Sequence, residues 1–312
     1  MPSGTLYLVG TPIGNLKDFS PRGREVLAAV GLIAAEDTRH TRRLLSAFDL
    51  HVPLESYHEH NLRTKGPQLV LRLLAGTDIA LVSDAGMPCV SDPGSDLVAL
   101  CVEAGVPVVV VPGPAAFVAG LAGSALDTAR FVFEGFLPAA GRTRRQALAA
   151  IASEPRTIVL YESPHHLRKT LSDLVAAELG PRRISLCREL TKIHEEFLRT
   201  TVQEAAAIYI EREPRGEFCL VLEGADAFHA RMAAIAASAE PGSDAAAVAS
   251  AAADAAAAST ADALSTRIAR LLAEGFSVKD AAAAAASEFG LPKREAYTVA
   301  LALRAGDPAR LV

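Results

Sequence analysis

The stretch from Val82 to Gly94, VSDAGMPCVSDPG, constrains the fold of this chain more than any other. It follows the apolar run Ile79 to Val82 and gathers two aspartates, a methionine and four glycine or proline residues where a parallel strand would end. Glycine and proline at that density fix the shape of a loop. In an open parallel sheet the carboxyl ends of the strands border the ligand crevice, so Asp84 and Asp92 are expected beside one. The alternative is an ordinary turn whose aspartates cap the helix that starts near Ser95.

Two further strand ends strengthen the crevice reading. Gly4 to Val9 reads as a strand that runs into Gly10-Thr11-Pro12-Ile13-Gly14-Asn15. A dinucleotide fingerprint would need a second glycine at the third position and a helix opening at once, so that backbone N–H groups face a pyrophosphate. Here Pro12 removes a donor, and the next helix waits for Ser20-Pro21. Such a loop suits a ligand without phosphate, held by backbone carbonyls. Val106 to Val111 then enters Pro112-Gly113-Pro114 before a small-residue helix, Ala115 to Leu126. Three strand ends of this kind are expected around one crevice.

Alternating strand and helix patterns predict an α/β chain of two units and a helical tail. His51 to Tyr57 reads as a strand and Leu62 to Ala75 as a helix, and the first unit spans residues 1–122. The second, residues 123–226, reads as strands Phe131 to Leu137 and Thr157 to Tyr161 with helices Arg142 to Ser153 and Pro164 to Glu178. Closely spaced strands Ile184 to Arg188, Glu196 to Thr200 and Glu217 to Leu222 follow and suggest a mixed sheet. Residues 227–261 are Ala-rich, with the low-complexity run Asp244 to Ala261, and read as a linker. Residues 262–312 carry amphipathic patterns broken at Gly275 and Gly290-Leu291-Pro292, in the manner of a helix-turn-helix. The bland reading of this tail is a small bundle that packs on the body or on a second copy.

With 312 residues, 50% of them hydrophobic, the chain is long enough for two ordinary cores. No apolar run approaches the roughly 20 residues of a membrane span, and Met1-Pro2-Ser3 leads into a strand without a signal peptide, so a soluble cytoplasmic protein is expected. Cys89, Cys101, Cys187 and Cys219 lack the C-x-x-C spacing of a zinc site and fit reduced thiols. A net charge of −5 excludes a small, globally basic nucleic-acid module, so any RNA contact must be a local patch.

The strings VGTPIGNL, AEDTRHTRRLL, YHEHN, VSDAGMPCVSDPG, VPGPAA, FEGFLP, YESPHHL, CRELTKIHEE and GEFCLVLEG stand in that order. From about Thr5 to Gly224 the chain resembles the small-subunit (16S) ribosomal RNA cytidine 2′-O-methyltransferases of the tetrapyrrole methylase superfamily. The resemblance implies S-adenosylmethionine as methyl donor, no metal, a cleft between two α/β domains, a homodimer, and a cytidine ribose of the small subunit's 16S rRNA as acceptor. Carried onto this sequence, it sets the donor against Pro12, Asp84, Gly86, Met87, Pro88 and Val90, with Ala115 and Ala116 on one side and Tyr161 to Ser163 on the other.

A ribose hydroxyl is a weak nucleophile, so something must accept its proton or stabilise its developing charge. Glu162, Glu189 and Lys192 are the catalytic candidates, with Glu195 beside them and Arg188 as an anchoring cation. A plain salt bridge between Glu189 and Lys192 is the competing reading. Arg39, Arg42 and Arg43 recur on one helical face, and with Arg142, Arg144 and Arg145 they form the expected phosphate contacts. His58 and Asn61 are expected to add polar contacts. Alternation puts His58 and His60 on one side of an extended strand, but no third ligand of matching spacing suggests zinc. A small-molecule tetrapyrrole methyltransferase and a non-catalytic RNA-binding module remain the alternatives; oxidation chemistry is more distant.

Overall fold

Short apolar runs buried on both faces are the mark of a parallel sheet covered by helices, and three of them form the middle of the first sheet here. The computed structural model of the chain describes residues 2–238, 261, 264–289 and 291–305. Strands β1 (Leu6–Val9), β2 (Leu32–Ala35), β3 (Leu54–Ser56), β4 (Ile79–Val82) and β5 (Val108–Val111) pair in the order β3-β2-β4-β1-β5, all parallel. Alternate residues face opposite sides. Leu6, Leu8, Leu32, Ala34, Ile79 and Leu81 join one core, while Val9, Ile33, Ala35, Ala80, Val82 and Val111 join another. Helices α1 (Pro21–Ala29), α2 (Thr38–Ala47), α3 (Leu62–Leu74), α4 (Ser95–Glu103) and α5 (Ala116–Gly123) connect or follow these strands. The Ser20-Pro21 start expected of α1 is present: the Ser20 hydroxyl accepts from the Gly23 amide at 3.0 Å.

The second sheet is mixed. Strands β6 (Phe131–Phe136), β7 (Thr157–Glu162), β8 (Arg183–Arg188), β9 (Glu196–Thr201) and β10 (Phe218–Leu222) lie in the order β6-β7-β10-β8-β9. Only β6 and β7 pair in parallel, and the others are antiparallel. Helices α6 (Gly141–Ser153), α7 (Pro164–Ala176) and α8 (Val202–Glu211) belong to this half. One sheet face buries Ile158, Leu160, Ile184, Leu186, Leu220 and Leu222 in the half's own core. From the other face Val159, Cys187, Cys219 and Val221 pack with Ile13, Leu121 and Leu190, so α5 and the β1 loop share a seam with the second sheet. Both sheets belong to one unit, Met1–Gly224.

Three local expectations change. The strand expected over His51 to Tyr57 shrinks to Leu54–Ser56, so His58 and His60 stand in a turn rather than on one strand side. Helix α8, with no counterpart in the sequence reading, opens with a capping box in which the Thr201 hydroxyl and the Glu204 carboxylate each satisfy the other's backbone N–H. The expected linker over residues 227–261 begins as a helix, α9 (Ala225–Ser238), whose Phe228 and Met232 are buried.

Ala225–Val312 is a second unit. Beyond α9 it contains α10 (residues 264–273), α11 (Val278–Phe289) and α12 (Lys293–Ala305). Leu264, Ile268, Leu271, Val278, Ala282, Ala286, Ala296 and Ala300 form its core. Gly275, at φ 93°, ends the turn after α10, and Ser277 caps α11 by accepting from the Asp280 amide. Residues 239–260, most of the expected linker, and Gly290 lie outside the described residues.

Candidate active site

β4, β1 and β5 are neighbours in the first sheet, so the three Gly/Pro loops of the sequence reading leave it side by side. They are tied together by backbone. The Thr11 amide donates to the Gly86 carbonyl at 2.8 Å and the Gly86 amide returns the bond at 3.2 Å. Gly10 and Gly113 approach so closely that a Cβ on Gly10 would lie 2.7 Å from the Gly113 Cα and 2.6 Å from the Met87 Sδ, which is why neither loop carries a side chain there. Between Ser83 and Gly94 the backbone enters the left-handed region at Cys89 (φ 71°) and Ser91 (φ 61°) as well as at two glycines. Non-glycine residues hold that region only where the surroundings over-determine it.

These loops form one wall of a cavity of about 450 Å³, within the range of small-ligand sites. The opposite wall comes from the second sheet: Tyr161 to Ser163 at the end of β7, Cys187 on β8, Leu190 beyond it, and Glu217 to Cys219 at the start of β10. The Phe117 amide on α5 donates to the Tyr161 hydroxyl at 3.1 Å. Phe117 stacks on Phe133, and Phe133 meets Tyr161 edge-on at 4.9 Å between centroids. Burial pushes the Tyr161 hydroxyl up to about 12, so it stays neutral.

The walls differ in charge. On the first, Glu36 at the end of β2 stands with Asp84 and Asp92. Asp84 accepts from the Asp37 amide at 3.0 Å, and the Asp84 amide donates to Glu36 at 3.4 Å. Burial and the charge of Asp84 raise the Glu36 carboxyl. Burial and the charge of Glu36, partly opposed by the Ser83 hydroxyl, push Asp92 up to about 7. On the second wall Glu162 is buried, with one carboxylate oxygen accepting from the Ser163 amide at 2.8 Å and the other from the Thr170 hydroxyl at 2.5 Å. The Ser163 hydroxyl beside it is buried and has no partner among the described residues.

Of the expected donor residues, Asp84, Gly86, Met87, Val90, Ala115, Ala116, Tyr161 and Ser163 line the cavity. Pro12 and Pro88 do not; they shape the loops from beside Ile13 and Met87, which do. Of the catalytic candidates, only Glu162 faces the cavity. Lys192 bridges Glu189 at 2.7 Å and Glu217 at 2.8 Å, the salt bridge that competed with a catalytic role. Burial works to raise Glu189, but Lys192 and the Glu217 amide outweigh it and leave the carboxyl below its usual range, while burial works to lower Lys192 and the Glu189 and Glu217 carboxylates outweigh it and raise it. A general base works best when its proton affinity lies near the working pH, and both shifts lead away from that.

Arg39, Arg42 and Arg43 are exposed on α2, although Arg39 is clamped to Asp37 at 2.6 Å. Arg142 and Arg145 are exposed on α6, but Arg144 is not available to phosphate. Its guanidinium is 5% exposed and donates to Asp173 at 2.6 Å, Thr170 at 2.9 Å and the Pro138 carbonyl at 2.9 Å. The every-residue charge pattern R-T-R-R hides this, because position 144 is the helix's inward face. Asn61 folds back on its own turn, accepting from the His58 amide at 2.9 Å and donating to the Ser56 carbonyl at 3.1 Å. His58 and His60 stack edge-on at 5.9 Å. Among the described residues no group of three or more His, Cys, Asp or Glu side chains could hold a metal.

Asp92 lines the cavity as the strand-end argument expects, and Glu36, Phe117, Phe136, Cys187 and Cys219 line it as well, outside the expected donor residues. Glu36 ends an apolar run at a strand terminus, a signal that was present; the two cysteines lie mid-strand, where no local pattern separates a core thiol from a cavity wall.

Residues 5–206 match the tetrapyrrole (corrin/porphyrin) methylases, and residues 257–304 match the RsmI C-terminal HTH domain. The chain is 44% identical over 302 residues to the ribosomal RNA small subunit methyltransferase I of Synechocystis sp., covering 97% of this chain and 99% of that one. It is 49% identical over 223 residues to the protein of the same name from Escherichia coli O157:H7, covering 71% and 78%. Among solved structures, a diphthine synthase aligns with TM-score 0.56 at 16% identity over 70% of this chain and 90% of its own. Uroporphyrin-III C-methyltransferase from Thermus thermophilus, complexed with S-adenyl homocysteine, aligns with TM-score 0.52 at 20% identity over 70% and 97%. Those two likenesses concern the fold alone. A family match over most of the chain, joined to identities in the forties along almost all of it, places the chain in the tetrapyrrole methylase family.

Proposed function

We propose that this chain methylates the ribose 2′-hydroxyl of a cytidine in the 16S rRNA of the small ribosomal subunit, using S-adenosylmethionine as donor. The observation that carries the reading is the 44% identity to a ribosomal RNA small subunit methyltransferase I across 97% of this chain. The cavity fits the donor chemically. Ile13, Met87, Val90 and Leu190 offer an apolar bed for an adenine, the carboxylates of Glu36, Asp84 and Asp92 suit a cation, and the unpartnered Ser163 hydroxyl waits for a polar group. The donor supplies an electrophilic methyl on a sulfonium. The protein's part is to exclude water, align the acceptor oxygen and receive its proton, and alignment alone supplies roughly 7 to 11 kcal/mol of such a barrier.

Asp84, Gly86, Met87, Val90, Ala115, Ala116, Tyr161 and Ser163 hold the donor in this reading, with Pro12 and Pro88 fixing loop shape. Arg42, Arg43, Arg142 and Arg145 take backbone phosphates, because they are exposed and the chain's overall charge of −5 leaves attraction to local patches. Residues 1–122 and 123–226 act as two domains across the cleft, and residues 262–312 as a tail that engages the ribosomal substrate. A homodimer in the cytoplasm completes the proposal. No helix among the described residues is long and apolar enough to cross a membrane.

The test is incubation of the protein with isolated small subunits and labelled S-adenosylmethionine, followed by mass mapping of the 16S rRNA. Label on a cytidine ribose supports the reading. Label on no RNA, with label on a tetrapyrrole instead, replaces it by the small-molecule alternative.

A further inference from the structure

The first wall carries negative charge without an ion-pair partner among the described residues. Among the described residues no lysine or arginine forms an ion pair with Glu36, Asp84 or Asp92. The groups facing Asp92 come from three elements: Ser83, Asp84 and Cys89 of its own loop, Glu36 from β2, and Tyr161 from β7. Behind Glu36 stand Asp37 and His58, and the arginine closest in effect, Arg39, is engaged by Asp37. Glu162 and Glu217 lie in the same cavity's other wall, already bonded to Thr170 and to Lys192. The buried, unpartnered Ser163 hydroxyl in that cavity is a separate sign that a ligand belongs there.

Resting on the methyltransferase reading, we propose that Asp92 receives the proton lost by the ribose hydroxyl, and that the carboxylate wall couples this to the disappearance of the donor's positive charge. As the oxygen–methyl bond forms, the sulfur–methyl bond breaks and its electron pair stays on sulfur. The sulfonium becomes a neutral thioether, and the hydroxyl proton passes to a carboxylate oxygen of Asp92. A proton on Asp92 replaces the positive charge of the sulfonium, so the combined charge of wall and donor does not change. A carboxyl poised at about 7 by burial and by Glu36 is matched to this exchange: a nearby cation strips its proton, and loss of that cation restores its basicity.

The experiment is calorimetric titration of the full chain with S-adenosylmethionine and, separately, S-adenosylhomocysteine, in buffers of different ionisation heat. Binding of the sulfonium near neutrality should release part of a proton, and binding of the thioether should not. The affinity ratio of the two should therefore rise about three- to tenfold from about pH 6 to about pH 8. In Asp92→Asn the ratio should stay flat within about twofold, and methylation should lose kcat far more than KM for the donor. A flat ratio in the unmodified protein overturns the proposal whether or not the variant folds. So does a slope that survives in Asp92→Asn, or one abolished by Glu36→Gln but not by Asp92→Asn. Failure of the folded protein to bind either compound would instead overturn the methyltransferase reading beneath it.

Discussion

The two walls of the cavity solve the problem of buried charge in opposite ways. On the second wall every acid has a partner: Glu162 holds Thr170 and the Ser163 amide, Arg144 backs Thr170 and is held by Asp173, and Glu189 and Glu217 share Lys192. On the first wall Glu36, Asp84 and Asp92 stand together beside a loop with left-handed backbone at Cys89 and Ser91, and burial and mutual charge raise Glu36 and Asp92 toward protonation. A compensated wall is a scaffold, whereas an uncompensated one suits a cationic ligand. Structural ion pairs and ligand sites both perturb carboxylates, and the direction of the shift separates them here.

The comparison can be broken most forcefully at Arg144. Removing it strands a largely buried network, so Arg144→Ala should lose about 3 kcal/mol of stability in denaturant unfolding, while Arg142→Ala and Arg145→Ala should stay within about 0.5 kcal/mol. Equal, small effects at all three would mean the second wall is not compensated in the way described.

Asp84→Ala tests the other wall. It should weaken S-adenosylmethionine binding about 10- to 100-fold, the value of one or two hydrogen bonds to a charged group, in a protein that melts close to the parent temperature. Unchanged affinity in the folded variant removes Asp84 from the site.

A smaller effect sharpens the contrast through pH. Asp92 has a folded-state proton affinity above its unfolded one, so the native state binds more protons between about pH 4 and about pH 7. Its contribution to stability is thus greatest in acid and falls as pH rises to about 7. Asp92→Asn should stabilise the ligand-free protein at about pH 8 by about 1 kcal/mol after allowance for solvent screening, and progressively less toward about pH 5. Thermal melts at the two pH values check the sign, and a variant less stable at the higher pH contradicts it.

Smaller still is the effect expected of single exposed arginines. Arg42→Ala and Arg43→Ala should each lower the salt slope of RNA binding by about one and leave donor affinity unchanged. An RNA affinity insensitive to both salt and substitution ends the patch proposal. Truncation after Ala239 should have no effect on donor binding and should reduce methylation of the subunit; loss of donor binding would join the tail to the site, and full methylation would remove its RNA role.

The part of the site that comes from strand ends was legible, because a glycine- and proline-rich loop after an apolar run is a local signal with a positional meaning. VSDAGMPCVSDPG delivers Asp84, Gly86, Met87, Val90 and Asp92 to the cavity in one stretch. The part made by the sheet's middle was not. Cys187 and Cys219 meet across paired strands, a register set by residues thirty-two positions apart in sequence. Likewise the burial of Arg144 depends on Thr170 and Asp173 of another helix, which no periodicity within α6 reveals. The failure at His58 and His60 has a different origin: Val52, Leu54 and Tyr57 imitate a strand, but Asn61 closes a turn by bonding back to His58 and Ser56. Helix α8 carries its signal in the Thr-x-x-Glu cap at Thr201 and Glu204, but it follows directly on β9 and its start is masked by the strand pattern before it.

The seam of Ile13, Leu121, Val159, Cys187, Leu190, Cys219 and Val221 draws its members from the first sheet's loop, from α5 and from three elements of the second sheet. Neither sheet can open there without taking the cavity floor with it. Amide hydrogens along β7, β8 and β10 should therefore exchange only through a large cooperative opening, and a ligand seated above the seam should slow them on both sides of the cleft at once. Occupancy of the site is in that sense a property of the whole unit, readable from protection at strand amides beyond the residues that line the cavity.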